Sequence, residues 1–74
     1  MQTNTPPADL EYVSRHKRRA AVKGIHARLL AIRAAEQKYL DNVPDNFQSS
    51  ESFEVGENAI EALDEIIGLL TEVY

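Results

Sequence analysis

Residues 42–50 read NVPDNFQSS, and this stretch decides the fold. Pro44 has no amide hydrogen to continue a helix, and its ring pushes Val43 out of the helical region. Asn42, Asp45 and Asn46 carry side chains that bond locally to backbone and favour turns. Ser49 or Ser50 can cap a following helix by accepting from its first free amides. Neither serine has Glu or Gln three residues on, so the reciprocal capping box is missing. Glu51 and Glu54 still suit the positive end of a helix dipole. One helix therefore ends near residue 42 and another begins near residue 50.

The flanks agree. Before the turn, Val22, Ile25, Leu29, Ile32, Glu36, Tyr39 and Val43 recur at alternating spacings of three and four. After it, Phe53, Gly56, Ile60, Leu63, Ile67, Leu70 and Tyr74 do the same. Both are heptad-type seams, in which one stripe keeps facing a partner helix. The short connection makes the helices antiparallel. Setting Tyr39 opposite Phe53 then pairs Glu36 with Gly56, Ile32 with Ile60, Leu29 with Leu63, Ile25 with Ile67 and Val22 with Leu70. The expected architecture is all-α, a coiled-coil-like antiparallel two-helix hairpin. Its expected bounds are a flexible N-terminus over 1–7, a helix over 8–42, a turn over 43–49 and a helix over 50–73. Thr5-Pro6-Pro7 suits the first helix start, because proline is tolerated in the first turn. The register also places Arg33 near Glu57 and His26 near Asp64.

With 74 residues the chain supports one small domain, and it has too little surface to bury for a large core. It has no Cys, which excludes thiolate zinc sites, disulfides and cysteine nucleophiles. No apolar run is long enough for a membrane span, and the N-terminus lacks the basic and apolar regions of a signal peptide. A cytoplasmic location is the expectation. His16 and His26 stand apart from carboxylates at ligand spacing, so neither a di-iron Glu-x-x-His pattern nor a two-histidine zinc helix is present. The glycines are isolated, the serines sit in a turn without a nucleophile-elbow pattern, and two helices enclose no pocket of ligand size. No enzyme, no metal and no cofactor are expected.

Charge divides the chain. All eight basic residues lie between Arg15 and Lys38, and residues 41–74 hold nine acidic residues and no basic one. Extending the first seam backwards reaches Arg18 and Arg15, whose pairing positions would be 74 and beyond. The basic segment should then overhang the second helix and leave Tyr12, Arg15, Arg18 and Arg19 without intramolecular partners, as a binding surface. Arg and Tyr are favoured at binding hot spots, and positive charge steers association with acidic surfaces. The same cluster suits nucleic-acid phosphates, which is the alternative reading. Glu36 interrupts the apolar seam opposite Gly56. It is either a functional carboxylate or one that bends towards the unpaired amides at the start of the second helix.

Two surfaces exceed what a hairpin uses. The second helix carries Ala59, Ile66 and Val73 on one flank with Val55, Ala62 and Leu69 beside them, wider than one partner helix covers. The first helix shows a small-residue stripe that includes Gly24, Ala27 and Ala31, which lets another helix approach closely. Together Ala59, Ile66, Leu69, Val73, Gly24, Ala27 and Ala31 form the expected oligomer interface of a homodimeric four-helix bundle. The outer side of the second helix, with Glu61, Asp64 and Glu65, is either a solvated face or a row imitating phosphates, as in inhibitors of DNA-binding enzymes.

Glu36-Gln37, Tyr39, Asp41-Asn42, Pro44, Asn46 to Gln48 and Ser50-Glu51, followed by AIEALDEIIGLLTEVY, form a fairly specific turn and a less specific acidic helix. In these features residues 35–74 resemble short helical-hairpin proteins of Gram-positive bacteria and their phages and mobile elements. The resemblance implies a phage or mobile-element context and no assigned activity. The expectation that follows is a protein-binding module acting on a host or phage protein, such as a defence or nucleic-acid-handling complex, by analogy of class.

Overall fold

A computed structural model describes residues 12–74. Ser14 opens the first helix: its backbone is extended (φ −112°, ψ 156°), and its side chain accepts from the Lys17 amide at 3.1 Å. Helix α1 then runs Arg15–Asp41. Pro44 stops it as the turn chemistry requires, and a single 3-10 turn, Asp45–Phe47, reverses the chain. Ser50 caps the second helix, accepting from the Phe53 amide at 3.2 Å, and α2 runs Glu51–Leu70. Thr71 closes it, donating both its amide and its hydroxyl to the Gly68 carbonyl. The two helices pack side by side and antiparallel, so the architecture is an all-α helical hairpin.

The first helix begins later than residue 8. Residues 12–14 are turn and bend, and the extended backbone of Ser14 with its side chain on the Lys17 amide sets the start at Arg15; residues 8–11 of the expected helix lie outside the described residues. The expected flexible 1–7 segment lies outside the described residues. The second helix likewise ends at Leu70, not residue 73.

The packing seam of α1 is rotated from the expected one. Val22, Leu29, Glu36 and Val43 lie on the inner side as the spacing requires, but Ile25, Ile32 and Tyr39 are 49%, 54% and 52% exposed. His26, Arg33 and Leu40, one position on, take the sheltered places. The cause is Gly56. A Cβ placed there would lie 2.6 Å from Leu40 Cδ2 and 2.8 Å from Glu36 Oε2. Leu40 fills the slot that the missing side chain leaves, and it is the one buried apolar side chain among the described residues, at 6% exposure. A branched apolar group gains more from that slot than a carboxylate would. Glu36 keeps its expected place beside Gly56. It does not reach the first amides of α2, where Ser50 accepts from Phe53.

The rotation resets the charge pairing. With Leu40 over Gly56, the residue two turns back on α1 comes level with the residue two turns on along α2. Arg33 therefore meets Asp64 instead of Glu57, with Nε to Oδ1 at 2.6 Å and a second guanidinium contact at 3.2 Å. The guanidinium beside Asp64 holds that carboxyl below its ordinary value of 3.8. The carboxylate raises the arginine in turn. His26 falls beside Leu70 and Thr71 in a surface recess, not beside Asp64. On the opposite flank the Tyr39 hydroxyl lies 3.4 Å from Ser52 Oγ.

Candidate functional site: the basic end

At the open end of the hairpin the first turns of α1 meet the C-terminal residues. Tyr74, with its backbone in the left-handed region (φ 62°), turns its side chain across α1. Its hydroxyl accepts from Arg18 Nε at 3.2 Å, and its ring centroid lies 6.0 Å from the Arg19 guanidinium. Arg18 also donates to the carbonyls of Tyr12 at 2.9 Å and Val13 at 3.3 Å. The pairing of position 18 with position 74 is the one the register gives.

The expectation that Tyr12, Arg15, Arg18 and Arg19 lack intramolecular partners therefore fails for three of the four. Arg18 is half-buried and committed to three oxygens, Tyr12 offers its carbonyl to it, and Arg19 lies against an aromatic ring. No long overhang exists over the described residues, because Tyr74 reaches the level of Arg18. What remains presented to solvent is a different set. His16, Arg19, Ala20 and Lys23 line one recess on the exposed side of α1, with Arg15 exposed nearby. His16 and Lys23 belong to this arrangement because they stand three residues before and four residues after Arg19, at helical spacing. The seam-based reading passed over them.

The bracing is electrostatically coherent. An arginine over an aromatic face is attracted by the ring quadrupole, by about 0.5–1 kcal/mol at exposed sites. Fixing Arg18 and Arg19 in advance lowers the side-chain entropy lost when an anionic group binds. The recess offers donors and positive charge, and it suits a carboxylate or phosphate.

Elsewhere the surfaces divide cleanly. Of the acidic residues Glu61, Asp64 and Glu65, Asp64 is held by Arg33, and the other two are exposed. Near the turn, Gln37, Leu40, Asp41, Gln48, Phe53 and Ile60 line an open surface groove. Among the described residues no group of three or more His, Asp or Glu is placed to hold a metal ion. No helix among them is long and apolar enough to cross a membrane. Gly24, expected at an interface, has open space where a Cβ would stand. Comparison with protein families, with curated proteins and with solved structures finds no match to this chain.

Proposed function

We propose that the chain is a non-enzymatic protein-binding module whose basic end docks on an acidic surface of another protein. The phage or mobile-element resemblance makes a host or phage protein the partner class. The observation that carries the reading is the recess of His16, Arg19 and Lys23, with Arg19 braced on Tyr74. In this reading the module works as a homodimer and leaves its basic ends open.

Charge supports the partner's chemistry. The chain is acidic overall, at −4, so a long polyanion is repelled by most of its surface, while a local acidic patch meets only the basic end. A nucleic-acid ligand is the competing reading, since phosphates fit the same donors.

Fluorescence anisotropy with a labelled oligoglutamate peptide and with random duplex and single-stranded DNA separates them. The expected result is saturable peptide binding that is lost in an Arg15→Glu/Arg19→Glu/Lys23→Glu variant with unchanged helicity. Tight duplex or single-strand binding whose affinity falls steeply from 50 to about 200 mM salt transfers the site to nucleic acid. Retention of the wild-type protein's partner by the triple variant, and its loss on charge reversal of Glu61 and Glu65, moves the site to the acidic face.

A further inference from the structure

One flank of the hairpin carries a strip of uncharged residues. Ile25, Ile32 and Tyr39 recur on α1 at intervals of seven, and Ser52, Ala59 and Ile66 do so on α2. Residues seven apart on a helix lie nearly in line, drifting only about 20° per repeat. The Tyr39–Ser52 hydroxyl contact shows that the two lines border the same flank. The Arg33–Asp64 bridge marks the other flank as the polar one. Beside the strip on α2 stand Val55, Ala62 and Leu69, again seven apart. Ile66 is 45% and Leu69 58% exposed. Between the Ser52 and Leu69 lines this side of α2 carries no Asp, Glu, Lys or Arg, and on α1 Arg28 stands between Ile25 and Ile32 at helical spacing.

We infer that a second copy of this chain covers the flank, with its axis of symmetry parallel to the helices, so that α1 of each copy packs on α2 of the other. This deepens the homodimer of the proposed function and is independent of what the basic end binds. Three observations select it. With Leu40 as its one buried apolar side chain among the described residues, the hairpin alone has almost no core, and domains this small need a further source of burial. The flank measures roughly 30 Å along α2 by about 20 Å across two helices. That footprint, about 600 Å², reaches the lower end of the range for a standard interface, about 600–1,000 Å² per partner.

Charge sets the arrangement. Helix α1 holds eight basic and two acidic residues, a net of +6, and α2 holds six acidic and no basic residues, a net of −6. Face-to-face packing with the axis across the helices stacks α1 on α1 and α2 on α2, setting like charge on like. Packing with the axis along the helices sets α1 on α2 twice, with Arg28 facing the acidic α2 of the second copy. Every neighbouring pair in the resulting four-helix bundle is then antiparallel and of opposite charge.

The interface therefore differs from the one expected from the sequence on α1. Gly24 and Ala31 lie about 80–100° and Ala27 about 140° round that helix from Ile32, outside the strip. Ala59, Ile66 and Leu69 keep their part on α2. Both turns come to one end of the bundle and both basic recesses to the other.

The native sequence has no cysteine, so one spin label at Asn46→Cys reports the turn alone. Sedimentation equilibrium at about 100 μM should give twice the 8.3 kDa chain mass. Electron–electron distance measurement should place the two labels within about 20 Å. Ile32→Glu should raise the dimer dissociation constant at least about 100-fold, by burying an unpaired charge in each copy. Ala27→Glu should leave it within about twofold. A helical 8.3 kDa monomer overturns the inference, and so does a label separation of about 40 Å, the length of α1. A dimer lost with Ala27→Glu and retained with Ile32→Glu overturns it as well. None of these outcomes depends on peptide binding by the basic end.

Discussion

Replacing Gly56 with alanine tests the contact around which the hairpin is organised. In an exposed helix interior, glycine to alanine gains about 1 kcal/mol, because the unfolded chain loses freedom and the helix gains propensity. At Gly56 the added methyl would sit 2.6 Å from Leu40 Cδ2 and 2.8 Å from Glu36 Oε2, where contacts of about 3.5–4 Å are normal. Glu36 can swing away, being partly exposed. Leu40 is buried, so it has to move by about 1 Å or push the helices apart, an overpacking cost of about 1–3 kcal/mol. The net expectation is a loss of about 1 kcal/mol. Gly24 and Gly68 provide the reference, since a Cβ at either meets nothing within 4 Å. Gly24→Ala and Gly68→Ala should each gain about 1 kcal/mol. A loss of 1 kcal/mol lowers the melting temperature of a domain this size by about 4–8 °C. Thermal unfolding followed by circular dichroism at fixed protein concentration should rank Gly56→Ala below wild type and both other variants above it. A Gly56→Ala protein that melts as high as Gly24→Ala refutes the account of Leu40 and Gly56.

Ser50→Ala removes the acceptor for the Phe53 amide and should cost about 1 kcal/mol in chemical denaturation, while Ser49→Ala should cost nothing measurable. Asp64 has its carboxyl held below the ordinary value by Arg33, so its contribution to stability is present above the unfolded value and is lost as pH falls through the folded one. Asp64→Asn should therefore be less stable than wild type at pH 7, with the gap closing below about pH 4, as denaturant titrations across pH will read. Tyr74→Ala should free Arg19, leave Arg18 on the Tyr12 and Val13 carbonyls, and weaken acidic-peptide binding severalfold without changing helicity, and Tyr74→Phe should retain the Arg19 contact.

The hairpin was legible because its signals are local and agree. Pro44 and the turn formers around it end one helix, Ser50 opens the next, and two heptad seams meet across them. The rotation of α1 was not legible in the same way. Both Ile32 and Arg33 satisfy a three-four spacing from Leu29, and hydrophobicity alone favours the isoleucine. What decides is a missing side chain on the other helix: Gly56 admits Leu40, and Leu40 carries Arg33 inward with it. Apolar spacing records where greasy residues are, and Ile25, Ile32 and Tyr39 are greasy because a second surface uses them. The basic end shows a related limit. Tyr74 was placed on the seam by spacing, but its hold on Arg18 and Arg19 depends on non-helical backbone after α2 has ended, with Tyr74 itself in the left-handed region, which no periodic pattern extends to. The start of α1 follows a local signal, the capping hydroxyl of Ser14, which sits at a position the apolar spacing passes through; Pro6 and Pro7 lie outside the described residues.

Leu40 sits against Gly56 and so fixes how α1 faces α2. Nuclear Overhauser spectroscopy on a sample with methyl-labelled leucine and isoleucine reads it directly. A strong cross-peak between a Leu40 methyl and the Gly56 Hα protons is expected, with no cross-peak from the Ile32 methyls to Gly56. Cross-peaks from Gly56 Hα to the Tyr39 ring and none to Leu40 would contradict it, because they would put the unrotated seam between the helices.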